Sequence, residues 1–310
     1  MRIVFFGSPV SALPALKKLV ASSHEVTLVV TQPDRASGRG RRETACPVKA
    51  FARERGLPVY QPERIRKDPS ALDRLRDARP DLNVIVAFGQ IMPASVIYLP
   101  PFHSLNIHFS LLPKYRGASP VQWAILSGEA VTGITIFELD EKMDEGPILA
   151  QREVPIAPGE KSFELEAHLA EIGADLLLKT MEEIGRIRPA AQDHALASYA
   201  PKIKKEDGRI DWTNDAATVD RRVRAFAGWP SAHARFKERR LIIHDGRPLG
   251  ASAREGPAGE VLRVSEEGIE VHCGGGSSYL IRRLQGENGR EMDAAPFARG
   301  HRISAGLKLD

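Results

Sequence analysis

Apolar positions along the first two thirds of the chain fall into two patterns that take turns. RIVFFG (2–7), EVTLVV (25–30) and DLNVIVAFG (81–89) are short apolar-rich runs, the mark of strands covered on both faces. After a Gly-Ser-Pro turn, ALPALKKLVASS (12–23) switches to helical spacing, and PVKAFARERG (47–56) opens with Pro and closes with Gly as helices do. LNIH (105–108) is a brief strand before the turn-rich SLLPKYRG (110–117). SPVQWAILSG (119–128) then reads as a helix with Ser119 at the N-cap and Pro120 at N1. TGITIFELD (132–140) and ILAQREVPI (148–156) are β-rich, and SFELEAHLAEIGADLLLKTMEEI (162–184) is a long amphipathic helix. Strands separated by helical segments predict βαβ units and a mostly parallel sheet with helices on both faces.

Around 187–208 the periodicity fades. One helical stretch follows, DAATVDRRVRAFAG (215–228), and then short β-like runs broken by turns: HARFK, RRLIIHDG, GEVLRVSEEG, IEVHCGGG and SSYLIRRLQG. Short strands at near-regular spacing predict a small barrel, for which an OB-like barrel is a nucleic-acid-binding example. The expected organisation is a domain over 1–188, a linker over 189–208 and a second domain over 209–310, in keeping with a length of 310 residues.

Charge sharpens this division. Residues 1–201 hold 24 Lys+Arg against 24 Asp+Glu, and 202–310 hold 20 against 16, so the net excess of +4 lies in the last third. Within it, 221–247 carries eight bases (Arg221, Arg222, Arg224, Arg235, Lys237, Arg239, Arg240, Arg247) and two acids. Such a stretch suits a polyanion partner or serves as a solubilising face. No apolar run reaches the roughly 18 residues of a membrane span, and the amino terminus lacks the apolar core of a secretory signal. The two cysteines, Cys46 and Cys273, form no CxxC pair. A soluble protein of a reducing cytoplasm is expected.

Four features could carry chemistry. The first strand–turn–helix has only Gly7 where a dinucleotide fingerprint needs three glycines, and no Walker A motif is present. If LNIH is a strand, Asn106 and His108 share one face and Leu105 and Ile107 the other. An amide that can donate to an oxyanion, beside an imidazole that can donate or exchange a proton, then sits at a strand end where open α/β sheets place ligands. The same spacing also fits a satisfied polar pair. Asp140, Glu141, Asp144 and Glu145 crowd a loop before Gly146-Pro147, where one carboxylate could orient His108 and favour its charged form. Spacing does not say which, and no HxH, HExxH or EF-hand pattern accompanies these acids, so no metal is expected. Finally, four arginines lie within eight residues (Arg35, Arg39, Arg41, Arg42), interleaved with glycine and serine, as a loop that grips phosphates or is simply solvated.

Taken together, MRIVFFGSP, TQPDRASGRG, PVKAFA, NIHFSLLPKYRGASPVQWAI, TGITIFELDEKMDEGPIL, RIDW and RAFAGWP make the chain similar to the folate-dependent formyltransferases, and within them to the methionyl-tRNA formyltransferases. The match is sharp to about residue 230 and looser beyond. It implies a Rossmann-like formyltransferase domain followed by an OB-like tRNA-binding barrel. It further implies formyl transfer from 10-formyltetrahydrofolate, a co-substrate used without metal, to the amino group of methionyl initiator tRNA, by a monomer. In that pattern Asn106, His108 and Asp144 match the catalytic trio, with Asn106 and protonated His108 facing the oxyanion and Asp144 relaying the proton. Ser110, Leu111, Leu112 and Pro113 match the loop along the folate. Arg39, with Arg41 and Arg42 beside it, matches the loop that meets the tRNA acceptor end. Three departures stand out: Glu145 at a place often held by Thr, Phe109 at one often small, and Val10-Ser11 in place of an acidic-Phe pair. The first two are expected to reshape the active-site floor and the third to bear on the methionyl pocket. Two further readings share features of the pattern. A nucleotide-sugar formyltransferase would keep the trio but need no basic loop, and a silent RNA-binding relative would need neither Asn106 nor His108.

Overall fold

A computed structural model describes residues 1–37, 42–251 and 256–310. The chain divides into two compact units. The first comprises Met1–Pro120, Val131–Pro155 and Glu166–Pro201, and the second Val121–Ala130, Ile156–Leu165 and Lys202–Asp310.

The first unit is built on seven strands: β1 (Arg2–Gly7), β2 (Glu25–Val30), β5 (Val59–Tyr60), β6 (Leu82–Val86), β7 (Ser104–His108), β8 (Val131–Glu138) and β9 (Ile148–Pro155). They lie in the order β5-β2-β1-β6-β7-β8-β9. A hairpin of β3 (Arg35–Ser37) and β4 (Arg42–Thr44) stands apart from this sheet. The five strands from β5 to β7 are parallel, joined through α1 (Leu13–Ala21), α2 (Pro47–Glu54), α3 (Ala71–Asp77) and α4 (Ala94–Ile97). β1 carries Ile3, Val4, Phe5 and Phe6 at 0% exposure, as a strand sealed on both faces must. β8 and β9 run antiparallel, because the nine residues 139–147 between them are too short for a crossover helix.

Two features position the site. The strand order turns back at β1/β6, the switch point at whose carboxyl ends open α/β sheets hold ligands. One strand further on, β7 ends at His108. Its Ile107 faces helix α6 (Ser162–Glu183), where Gly173 approaches so closely that an added Cβ would stand 2.8 Å from Ile107 Cγ2. Alternation therefore sends Asn106 and His108 to the opposite side.

The second unit holds α5 (Pro120–Leu126, from Val121), α7 (Ala216–Ala225), α8 (Ala294–His301) and an antiparallel sheet. Its strands are β10 (His233–Phe236), β11 (Arg239–Ala251), β12 (Val261–Ser265), β13 (Gly268–Cys273), β14 (Ser277–Gly286) and β15 (Met292–Asp293). The order is β10-β11-β14-β13-β12, with β15 on β14. Residues 307–310 join its two outer strands. Val261 N–H donates to Leu307 O at 2.7 Å and Leu309 N–H to Gly259 O at 2.9 Å. On the other side Arg235 N–H donates to Asp310 O at 2.6 Å and Asp310 N–H to Arg235 O at 2.9 Å. The carboxy-terminal segment thus closes an OB-like barrel.

Candidate active site

Within the first unit, the strand end at His108 and the acidic loop before Gly146 meet. His108 is buried, and its Nε2 lies 2.9 Å from Tyr115 O. A carbonyl only accepts, so Nε2 carries the hydrogen and Nδ1 is the remaining edge. That edge faces Asp144 Oδ2 at 3.8 Å. The carboxylate is fixed from behind by Gly117 N–H, which donates to Oδ2 at 2.8 Å, and the Asp144 backbone is in the left-handed region (φ 53°). Phe137 on β8 supports the imidazole edge-on, with ring centroids 6.3 Å apart. Asn106, two positions back on the same face, is held by its backbone between Ile85 and Phe137 and is partly exposed. Of four neighbouring acids, the fold therefore brings Asp144 to the imidazole.

The loop after β7 is rigidly tied. Ser110 is fully buried and its hydroxyl donates to Lys114 O at 2.6 Å. Thr135 on β8 donates to Ser110 O (2.7 Å) and accepts from Leu112 N–H (3.0 Å), while Gln151 Nε2 donates to Leu112 O (2.8 Å). Leu111 packs over Gly133, where an added Cβ would stand 2.5 Å from Leu111 Cδ2. Pro113 follows through a cis peptide bond. The side chains of Ser110 and Leu111 thus serve the loop's own folding.

Arg116 and Gln192 were invisible as site residues in the sequence. Arg116 is 1% exposed, and its guanidinium donates to Gln192 Oε1 from Nε (3.1 Å) and Nη2 (2.7 Å). Gln192 Nε2 in turn donates to Asp144 O (2.9 Å) and Gly146 O (2.7 Å). Glu145 Oε1 lies 3.5 Å from Arg116 Nη1, and Oε2 lies 3.6 Å from His194 Nδ1 and 3.7 Å from Lys142 Nζ. The position often held by Thr is therefore a charge partner for a buried cation. Phe109 is 7% exposed, and so a core residue; Val10 is exposed and Ser11 buried. Arg116 lies in the NIHFSLLPKYRG motif that carries the family resemblance but was given no role there; Gln192 lay in a stretch without periodicity.

Arg39 and Arg41, and the side chain of Arg42, lie outside the described residues. The approach to β3 is anchored by Lys49, buried on α2, which pairs with Asp34 and Gln61. The Lys49 bond holds the Asp34 carboxyl below its ordinary value.

In the second unit the basic stretch 221–247 divides in two. Arg222 donates to Asp207 O and lies over Phe226, Arg224 pairs with Asp220 at 2.7 Å, and Arg240 donates to Pro230 O at 3.0 Å. Those three are structural, as is Arg221, which donates to Thr218 Oγ1 at 2.7 Å. Arg235, Lys237, Arg239 and Arg247 are exposed, three of them on the β10–β11 hairpin. A cleft of about 360 Å³ is lined by Lys205, His233, Arg235 and Arg240 together with Glu206, Glu238 and Glu287. Burial pushes the His233 imidazole below its usual value, so it is neutral there at pH 7.

Among the described residues no helix is long and apolar enough to cross a membrane, and no group of three or more His, Cys, Asp or Glu is placed to hold a metal.

This geometry agrees with the comparisons. The family model described as formyl transferase matches residues 1–181, and that described as formyl transferase, C-terminal domain, matches 202–302. The chain belongs to the formyl transferase family. Among full-length relatives, a methionyl-tRNA formyltransferase of Geobacter sulfurreducens is 42% identical over 100% of this chain and 96% of its own. One of Solibacter usitatus is 45% identical over 100% and 98%. In fold, the chain is similar to HypX from Aquifex aeolicus in complex with tetrahydrofolic acid (TM-score 0.65, 21% identity, 96% of this chain and 47% of that one). It is also similar to WlaRD, a sugar 3N-formyl transferase (TM-score 0.65, 19% identity, 94% and 99%).

Proposed function

We propose that the protein transfers the formyl group of 10-formyltetrahydrofolate to the amino group of methionyl initiator tRNA, as a cytoplasmic enzyme of translation initiation. The observation that carries this reading is the convergence of His108 Nδ1 and Asp144 Oδ2 at 3.8 Å beside Asn106, in a chain of this family. Residues 1–188 are then the folate-binding catalytic domain and 209–310 the tRNA-binding domain. Ser110–Pro113 shape the folate site, and Arg39, Arg41 and Arg42 reach the acceptor end.

The amine of an aminoacyl ester needs little activation, since free α-amino groups already have a pKa of about 7.7–8.0 and esterification lowers it. The demanding event is charge on the formyl oxygen as the new C–N bond forms. Asn106 donates its amide hydrogen to that oxygen, and His108, as the imidazolium whose Nε2–H is committed to Tyr115 O, donates from Nδ1. Asp144, adjacent to that edge, takes the proton the amine loses. Collapse of the tetrahedral species then breaks the bond to folate N10, which takes the proton held on Asp144 as it leaves and so returns the carboxylate to its starting state.

Formylation assays with charged initiator tRNA, set against a nucleotide-sugar amine, test the substrate: turnover of the sugar alone would refute this reading. Asn106→Ala should lower kcat about 100- to 1,000-fold at saturating substrates, and a loss under about tenfold would end the oxyanion role.

A further inference from the structure

Tyr115 and Gly117, whose backbones hold His108 and Asp144, are both touched by one stretch of chain. Residues 192–200, expected from the sequence to be linker, lie against 115–117 in the first unit. Tyr115, whose carbonyl receives His108 Nε2–H, donates its own N–H to Ser198 Oγ at 2.9 Å. Arg116 N–H donates to Ser198 O (2.9 Å), and Ala200 N–H donates to Arg116 O (2.7 Å), a short parallel bridge. Gly117, whose N–H holds the Asp144 carboxylate, backs onto the same stretch: an added Cβ would stand 2.7 Å from Ala200 O. Gln192 is 6% exposed and spans the remaining gap, its Nε2 bonding Asp144 O and Gly146 O while Arg116 fixes its Oε1.

We propose that 192–200 is a strap that positions the imidazole–carboxylate pair, and that Gln192, locked by Arg116, is the residue through which it acts on Asp144. The physical case rests on two points. Asp144 adopts a left-handed backbone that a non-glycine residue holds only when its surroundings over-determine it, and Gln192 supplies that constraint on both sides of Glu145. A fully buried guanidinium is costly to retain, and its two bonds to one amide oxygen fix which way that amide points. With Oε1 facing Arg116, Nε2 has to face the two carbonyls of the catalytic loop. Gln192 is a positioning residue, since it reaches the chemistry only through Asp144.

The inference rests on the functional reading above. Its test uses the full chain in the tRNA formylation assay, with thermal unfolding as a control. Gln192→Met keeps length and removes both bonds to the loop. It should lower kcat about 10- to 100-fold while both KM values stay within about twofold. In an Asp144→Asn background the same change should cost less than about threefold, because the group it positions is already disabled. A kcat within twofold of the parent, or an undiminished loss in the Asp144→Asn background, would overturn the proposal. If Gln192→Met does not fold, Ser198→Ala, which removes one hydroxyl acceptor, is read in its place: a lower kcat at unchanged KM supports the strap and an unchanged kcat refutes it. Asp144→Asn alone separates the two claims. A fully active Asp144→Asn enzyme sinks the catalytic reading and the strap with it. An inactive one beside a normal Gln192→Met enzyme sinks only the strap.

Discussion

Cys46 and Cys273 show how placement decides the chemistry of one residue type. Cys273 is 0% exposed at the end of β13, and burial pushes its thiol up to about 12. The thiolate is the reactive form, so this sulfur is inert at neutral pH. Cys46, at the N-cap of α2, is partly exposed. Iodoacetamide at pH 8 should therefore label one cysteine in the native protein and two in guanidinium, with mass spectrometry placing the native adduct on Cys46. At this scale the sequence was informative where side chains project regularly and silent where they do not. Asn106 and His108 were legible because a strand's period of two fixes a shared face. Spacing left Asp144 among four acids and only the family resemblance singled it out, while Gln192 needed a bend that brings position 192 beside 144.

Helix α7 was legible as a helical stretch over 215–228, and the structure bounds it at Ala216–Ala225. Its Asp215 side chain accepts from Thr218 N–H at 2.7 Å, and Ala216, Val219, Val223 and Phe226 are buried along one stripe. Bonds from Thr218 hold the Asp215 carboxyl below its ordinary value. Depression below the unfolded value of about 3.9 means the cap stabilises above that pH and loses its effect as pH falls through the folded value. Asp215→Ala should cost about 1 kcal/mol in urea unfolding at pH 7, with the difference between variant and parent shrinking below about pH 4. Other elements were harder to see. α3 buries only Ala71 and Leu75 within ALDRLRD, too few apolar positions to register as a period. The antiparallel turn of β8 and β9 lies in the length of a loop, which a reading of strand–helix alternation passes over.

For the whole molecule, net charge showed where cations concentrate but not which are exposed. Arg222, Arg224 and Arg240 are consumed by internal carbonyls and an acid, whereas Arg235, Lys237 and Arg239 are exposed around the β10–β11 turn. Replacing those three with serine should raise KM for tRNA with kcat unchanged. If each meets a phosphate, the slope of log K against log salt should flatten by about one per residue in a binding titration. The barrel's last pairing partner carries a different consequence. Because Leu307, Leu309 and Asp310 satisfy Gly259, Val261 and Arg235 at once, trimming 307–310 would bare two strand edges with unpaired N–H and C=O groups. Such edges recruit one another between molecules. The shortened protein should self-associate in sedimentation and unfold at lower temperature, so a protease that nibbles four residues would turn the enzyme into a template for aggregation.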